Sequence, residues 1–383
     1  MKSTLKKMLA LVLAIAMLAT FAACGSGYTA ENTKYVIGVS GPLTGPAAVY
    51  GVAVQNSAQM AVDEINAAGG LDGVEFKLVA VDDKHDATNV AANFTTLMEG
   101  GMQVSLGTVT TAPGLEFTKL SNDDKVFFLT PSASGDKIPE FDNGFQMCFA
   151  DGNQGAVAAN FVNGLGKDKI GVFYKSDDPY SKGIYDQFKA ALKDGIEVVE
   201  TVFTAANETD FSAQITQLKD CDFVFMPIYY QPASVFMTQA KGVIADNATY
   251  YGCDGFDGLA GQIDLATIPQ KISMLSHFNA NSTDAATADF VKKYTDQFGA
   301  ETLNQFGASA YDCVYAIYNA MKELKAAGKD IPVTISAEEL YTLLKDQFTG
   351  DFSYSGVTGK DIKWQANGYV DKAAIEYILK DAD

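Results

Sequence analysis

Downstream of residue 34 the chain alternates two hydrophobic patterns. Tyr35 to Ser40, Val74 to Val81, Gln103 to Leu106 and Val126 to Leu129 are short apolar runs that read as strands. Between them lie stretches with helical spacing. Val52 to Ala67 carries Ala53, Ala58, Ala61, Val62 and Ile65 on one face and stops at Gly69-Gly70, a C-cap signal. A second helix runs from the capping Asp86 to Glu99, and a third starts near Ala112. The same beat then restarts. Helices are predicted over Asn153 to Leu165, Ser181 to Lys193, Phe211 to Leu218 and Pro232 to Ile244, with strands over Lys169 to Tyr174, Ile196 to Phe203, Phe223 to Met226 and Thr249 to Cys253. Helical segments follow over Ala285 to Phe298, Ala308 to Ala327 and Glu338 to Phe348, the last behind the capping box Ser336-x-x-Glu339. An apolar strand, Ala374 to Leu379, closes the chain.

Strands alternating with helices of this length imply βαβ units and mostly parallel sheets covered on both faces. The restart implies two such units. The expected fold class is therefore α/β, with two doubly wound parallel-sheet lobes and a ligand cleft between them. The expected division is 34–149 with 279–350 for one lobe and 150–278 with 351–383 for the other.

The N-terminal pattern is different in kind. Lys2, Lys6 and Lys7 precede an apolar run from Met8 to Ala23, broken only by Thr20. A basic start, a short apolar stretch and small residues before a cut site make a secretory signal. The run is shorter than the roughly 20 residues that a membrane-spanning helix needs. Phe21-Ala22-Ala23-Cys24 followed by Gly25-Ser26-Gly27 resembles a bacterial lipobox, with Phe21 in place of the usual Leu. The resemblance implies a signal peptide over 1–23, lipid on Cys24 and a tether over 24–33, which would place the protein on the outer face of the cell membrane. The plainer alternative is an ordinary signal peptide with a chance cysteine.

Composition narrows the classes of partner. The net charge is −19. Nucleic acid and anionic membrane surfaces would repel such a chain, so neither is expected as a partner. Cys148, Cys221, Cys253 and Cys313 are too scattered for a disulfide scaffold, and the apolar settings of Cys148, Cys221 and Cys313 suggest buried thiols.

Ligands of open α/β sheets bind beyond the carboxyl ends of the strands, so the loops there are the place to look for chemistry. Gly41 to Gly51 brings Tyr50 to the rim. Gly107 to Ala112 and Thr130 to Gly135 place hydroxyls and amides at helix starts, where an anion such as a carboxylate can sit. Each loop alone reads as ordinary N-capping; two on neighbouring strand ends favour a site. In the second unit Tyr180, Tyr229 and Tyr230 stand at strand ends, and Asp254 lies in a tight turn. Asp254 could equally be an Asx-turn residue. An acid facing an anion pocket across an aromatic gap suits a zwitterion, whose ammonium gains from the carboxylate and from ring faces.

Taken together, Ile37-Gly38-Val39, Gly45-Pro46, Tyr50-Gly51, the run Ala61 to Gly70, Asp82-Asp83, Thr130 to Ser134, Asp210-Phe211 and Tyr230-Gln231-Pro232 resemble the leucine/isoleucine/valine-binding group of type I solute-binding proteins that serve ABC importers. The resemblance extends over nearly all of Tyr35 to Leu379. It implies an amino acid ligand, an ABC permease as partner, a monomer, and neither cofactor nor catalysis. It places carboxylate donors at Thr111, Ser132 and Ser134, ammonium acceptors at Tyr180, Tyr230 and Asp254, and side-chain pocket residues at Tyr50 and Phe306. Thr111 stands where the family often has Ser, and Asp254 where many members have Glu.

Other readings are weaker on the residues. A lipid-tethered sensor would share the same fold, and a small amide or an aromatic acid would also fit an aromatic slot. A hydrolase lacks support: no Gly-x-Ser-x-Gly, His-Glu-x-x-His or P-loop occurs, and the chain has two histidines. Asp82, Asp83, His85 and Asp86 read as a solvated turn, not a metal site. His277 is expected to be structural, Trp364 and Tyr354 to serve packing or a hinge, and Phe188 and Leu192 to be core.

Overall fold

The computed structural model describes residues 32–381. The signal peptide over 1–23, Cys24 and most of the tether lie outside the described residues. Apolar runs buried on both faces form the first sheet, save for its half-exposed edge strand. β1 (Tyr35–Gly41) is entirely buried, with β2 (Phe76–Asp82) on one side and β3 (Val104–Ser105), β4 (Phe128–Thr130) and β5 (Gly144–Gln146) on the other. All pairings in this five-stranded sheet are parallel, in the order β2-β1-β3-β4-β5. The helices α1 (Ala48–Ala67), α2 (Val90–Glu99) and α3 (Thr111–Asp123) make the crossovers.

The chain then crosses to a second sheet. α4 (Asp151–Gly164) leads into β6 (Lys169–Lys175), α5 (Pro179–Ala191), β7 (Glu197–Phe203), α6 (Ser212–Leu218), β8 (Phe223–Met226), α7 (Tyr230–Gln239), β9 (Thr249–Gly252) and β10 (Lys271–Ser276). α4 and α5 pack closely at Gly155, where a Cβ would lie 2.4 Å from the Ile184 carbonyl oxygen. α8 (Ala285–Phe298), α9 (Gln305–Ala326) and α10 (Ala337–Phe348) return to the first lobe, with α9 lying along α1. β11 (Ile375–Lys380) adds an antiparallel edge to the second sheet, ordered β11-β10-β9-β8-β6-β7.

The two-lobe α/β architecture is the one expected. Three details differ. β5 and β10 carry no separate signal in the pattern, because β5 has three residues and Lys271–Ser276 follows directly on a turn. α7 ends at Gln239 and not at Ile244, since the chain turns at Gly242, which has φ +72°. The segment expected to rejoin the second lobe from residue 351 instead lies on the first. Trp364 packs on Phe348 and Phe352 and donates Nε1–H to the Gln146 carbonyl at 2.8 Å. Only β11 belongs to the second sheet.

Three crossings therefore link the lobes, after β5, after β10 and before β11. Asp312 of α9 fastens the last. Its carboxylate accepts from Tyr354 OH (2.9 Å) and from the amides of Val357 (2.9 Å) and Thr358 (2.8 Å). Buried Lys372 donates Nζ–H to Met147 O at 2.7 Å and Thr358 Oγ1 at 2.6 Å, joining the first crossing to the third. Burial lowers its pKa to about 8. His277, at the second crossing, pairs Nε2 with Ser309 Oγ at 2.6 Å, and burial holds its pKa well below the usual range.

Candidate functional site

The carboxyl ends of both sheets face one gap. It is lined by Tyr50, Val109, Thr110, Thr111, Ser132, Ser134, Tyr180, Tyr229, Asp254, Gly255 and Phe306, which nearly fill it and leave about 10 Å³, room for little more than one water.

The wall from the first lobe is built of hydroxyls. α3 begins at Thr111, so its side chain stands at the positive end of a helix. Thr111 Oγ1 is buried and, among the described residues, has no hydrogen-bond partner. Thr130 ties this loop to its neighbour: its Oγ1 donates to Thr108 O (2.9 Å) and accepts from the amides of Ala133 (3.0 Å) and Ser132 (3.3 Å). Those two amides, which the sequence offered to an anion, are thus already engaged. The hydroxyl-bearing residues Thr111, Ser132 and Ser134 line the gap, and the Thr111 hydroxyl is the one of the three that is buried without a partner.

The wall from the second lobe is acidic and aromatic. Asp178 caps α5 through its bond from Ser181 N, Pro179 holds the first turn, and Tyr180 follows. Tyr180 OH donates to Asp254 Oδ1 at 2.6 Å and accepts from Gly255 N at 2.9 Å. Gln154 Oε1 accepts from Asp254 N at 3.0 Å. Asp254 is 2% exposed. Burial raises its carboxyl pKa to about 6, against the opposing pull of Tyr180, Gln154 and the Gly255 amide. Gly255 admits no side chain: a Cβ would lie 2.7 Å from both Ile228 O and Tyr180 OH.

Aromatic rings close the gap between these walls. Tyr229 stacks on Tyr180 (4.5 Å, 14°) and meets His85 edge-on (5.0 Å). Tyr50 packs edge-on against Phe306 (4.8 Å) and Tyr230 (5.1 Å) and donates its hydroxyl across the gap to Gly255 O at 2.6 Å.

The expected residues Tyr50, Thr111, Ser132, Ser134, Tyr180, Asp254 and Phe306 all line this gap; Tyr230 does not. Tyr229 is the extended N-cap of α7 and Tyr230 its first helical residue, so the two rings diverge. Tyr229 faces the gap with its hydroxyl unpartnered, and Tyr230 is buried against Tyr50. Sequence reasoning also missed Asp151. It opens α4 two residues earlier than the pattern suggests, and it is 1% exposed with both carboxylate oxygens unpartnered among the described residues. Burial, then the charge of Asp254, push its pKa well above the usual carboxylate range. Its signal was the acid at the first helical position, favourable at a helix N-terminus.

The Asp82–Asp86 turn is occupied with its own backbone. Asp82 holds the Leu43 amide (2.9 Å), Asp83 accepts from Ser40 Oγ (3.1 Å) and His85 N (2.9 Å), and His85 Nδ1 meets Thr110 Oγ1 at 2.9 Å. Burial keeps His85 neutral, with a pKa lowered to about 4. The four described cysteines are free and buried.

A zwitterion matches this geometry: hydroxyls and a helix start on one wall, a buried acid on the other. Known proteins agree on the frame. A Leu/Ile/Val-binding protein, BraC3, from Rhizobium johnstonii is 30% identical over 328 residues, 82% of this chain and 84% of its own. A leucine-, isoleucine-, valine-, threonine- and alanine-binding protein from Pseudomonas aeruginosa is 29% identical over 345 residues, 86% of this chain and 88% of its own. The crystal structure of a branched-chain amino acid transporter substrate-binding protein, LivJ, from Streptococcus pneumoniae in complex with isoleucine superposes with a TM-score of 0.79 at 28% identity, covering 91% of this chain and 98% of that one. The family model described as periplasmic binding protein matches residues 34–368. The chain belongs to the periplasmic binding protein family, whose members bind solutes and are not enzymes.

Proposed function

We propose that this protein binds a branched-chain amino acid between its lobes and hands it to an ABC importer, from the outer face of the membrane where lipid on Cys24 holds it. The observation that carries the reading is the opposition of the two walls. Thr111 Oγ1 is buried and unpartnered, as a donor awaiting the ligand's carboxylate would be. Asp254, buried opposite, is held by Tyr180 as an acceptor for an ammonium. Leaving either wall unmatched is costly in a site this dry. The apolar part of the ligand would lie among Tyr50, Val109, Tyr229 and Phe306. The names of the relatives reported above, whose ligands include leucine, isoleucine or valine, support the same class of ligand.

The decisive experiment is a thermal-shift screen of amino acids with benzoate as a contrast. A ligand that binds only the folded state adds about 4 kcal/mol at a thousand times its dissociation constant. Leucine, isoleucine or valine should raise the melting temperature; benzoate, which would leave Asp254 unpaired, should not. A shift with benzoate and none with any amino acid would refute the proposal.

A further inference from the structure

We infer that Asp257 is a positioning residue that couples ligand capture to lobe closure, by completing the cap of helix α9 across the gap. Asp257 belongs to the second lobe, three residues beyond Asp254 in the turn after β9. Its Oδ2 accepts from the amide of Gln305 at 2.9 Å. Gln305 is the first residue of α9, which packs along α1 in the first lobe. The N-cap residue of that helix, Asn304, satisfies the amides of Phe306 (3.1 Å) and Gly307 (3.0 Å) through its own Oδ1. The amide of Gln305 is left to a partner from outside the helix. The opposite lobe supplies it, as a carboxylate at the positive end of a 22-residue helix.

The turn that carries Asp257 is one rigid piece. Asp257 N donates to Asp254 O at 2.9 Å, and Phe256 N to Cys253 O at 3.0 Å. On that piece sit Asp254, Gly255 O, which receives Tyr50 OH from the first lobe at 2.6 Å, and Asp257. Phe306, next to Gln305, lines the gap. A ligand that fixes Asp254 therefore fixes Asp257 against α9, and a bond from Asp257 to α9 holds Asp254 and Phe306 around the ligand. The inference rests on Asp254 as the ammonium acceptor; the bond between the lobes can be read without any ligand.

The test compares Asp257→Asn, Gln305→Ala and Gln305→Pro, with the double variants. Asparagine keeps the shape and removes the charge. Proline at the first helical position deletes the N–H and is well tolerated there, and Asn304 already has the extended backbone (φ −147°, ψ 172°) that must precede it. Alanine keeps the N–H. L-isoleucine dissociation is followed by stopped-flow fluorescence, and the spacing of the ligand-free lobes by a spin label on each. Asp257→Asn and Gln305→Pro should each speed dissociation about tenfold, the worth of one charged hydrogen bond, and leave association within about threefold. Asp257→Asn should add nothing to Gln305→Pro and keep its full effect on Gln305→Ala. Both single variants should widen the ligand-free lobe spacing. Equal effects of Asp257→Asn on the two Gln305 backgrounds, or an unchanged lobe spacing, overturn the inference. If the wild type binds no amino acid, the binding reading fails while the lobe spacing still decides the role of Asp257. If Gln305→Pro does not fold, the spacing in Asp257→Asn decides alone.

Discussion

Asp254 is where the energetics of the site concentrate. Its carboxyl, with a pKa near 6 in the ligand-free protein, leans further toward the neutral form than an ordinary carboxyl because water cannot reach it. An arriving ammonium reverses that preference and pulls the pKa down. Binding below pH 6 must then release a proton, so affinity is expected to be level above about pH 7 and to fall toward pH 5 by up to about tenfold per unit. Calorimetric titrations at both ends of that range check this; equal affinity at pH 5 and pH 8 would exclude Asp254 as the acceptor. Folding stability runs the other way for the free protein. Asp83, Asp178, Asp254 and Asp257 all have folded pKa values near 6, above the ordinary value of 3.8. The stability they contribute is complete below about pH 4 and is lost as pH rises through 6. Thr111 makes a complementary case. Thr111→Val removes a hydroxyl with no partner in the free protein, so stability should hold or rise. Affinity should drop about tenfold or more, the worth of a hydrogen bond to a charged group. An unchanged affinity would mean that the carboxylate lies elsewhere.

At the scale of elements, the site is a product of strand ends. The segments that follow β1, β3, β4, β6, β8 and β9 each hand one to three residues to the gap, which is why residues spread from Tyr50 to Asp254 meet there. These loops were readable because strand ends are marked by the return of Gly, Pro, Ser and Thr after an apolar run. Tyr230 was not, since the choice between two adjacent tyrosines depends on which of them starts the helix. Asp151 was not, because an acid at a helix start is ordinary and nothing in it announces that tertiary packing will bury it. The first-lobe placement of Trp364 was equally hidden: an irregular segment has no periodicity to show which face it covers. The turn at Gly255 gives a sharp prediction. Gly255→Ala places a methyl against Ile228 O, a backbone atom with no freedom to yield. The turn must shift, the Tyr180–Asp254 bond must lengthen, and amino acid affinity should fall at least tenfold with the secondary structure intact by circular dichroism. Retained affinity would show that the turn tolerates movement.

The whole molecule is two lobes and three crossings, and its function as read here is a change in how the lobes meet. Tyr50 OH to Gly255 O bridges them directly beside the gap. Lys372 ties the first crossing to the third, and Asp312 holds the segment that leads into the third. Membrane attachment belongs to this scale as well. No helix among the described residues is long and apolar enough to span a bilayer. The proposed attachment rests on Cys24, and Cys24→Ser should move the protein from the membrane fraction to the soluble fraction or leave its signal uncut. Normal processing and retention in the membrane would rule out the lipid.

The grip of the two walls is tested by titrating L-isoleucine, its deaminated acid and its decarboxylated amine into the same protein, by calorimetry at pH 8. If two opposed walls grip a dipolar solute, the amino acid binds and each half-ligand loses at least a hundredfold, because either one leaves a buried polar wall without its partner. If the acid or the amine binds as tightly as the amino acid, the walls do not act together and the account is wrong.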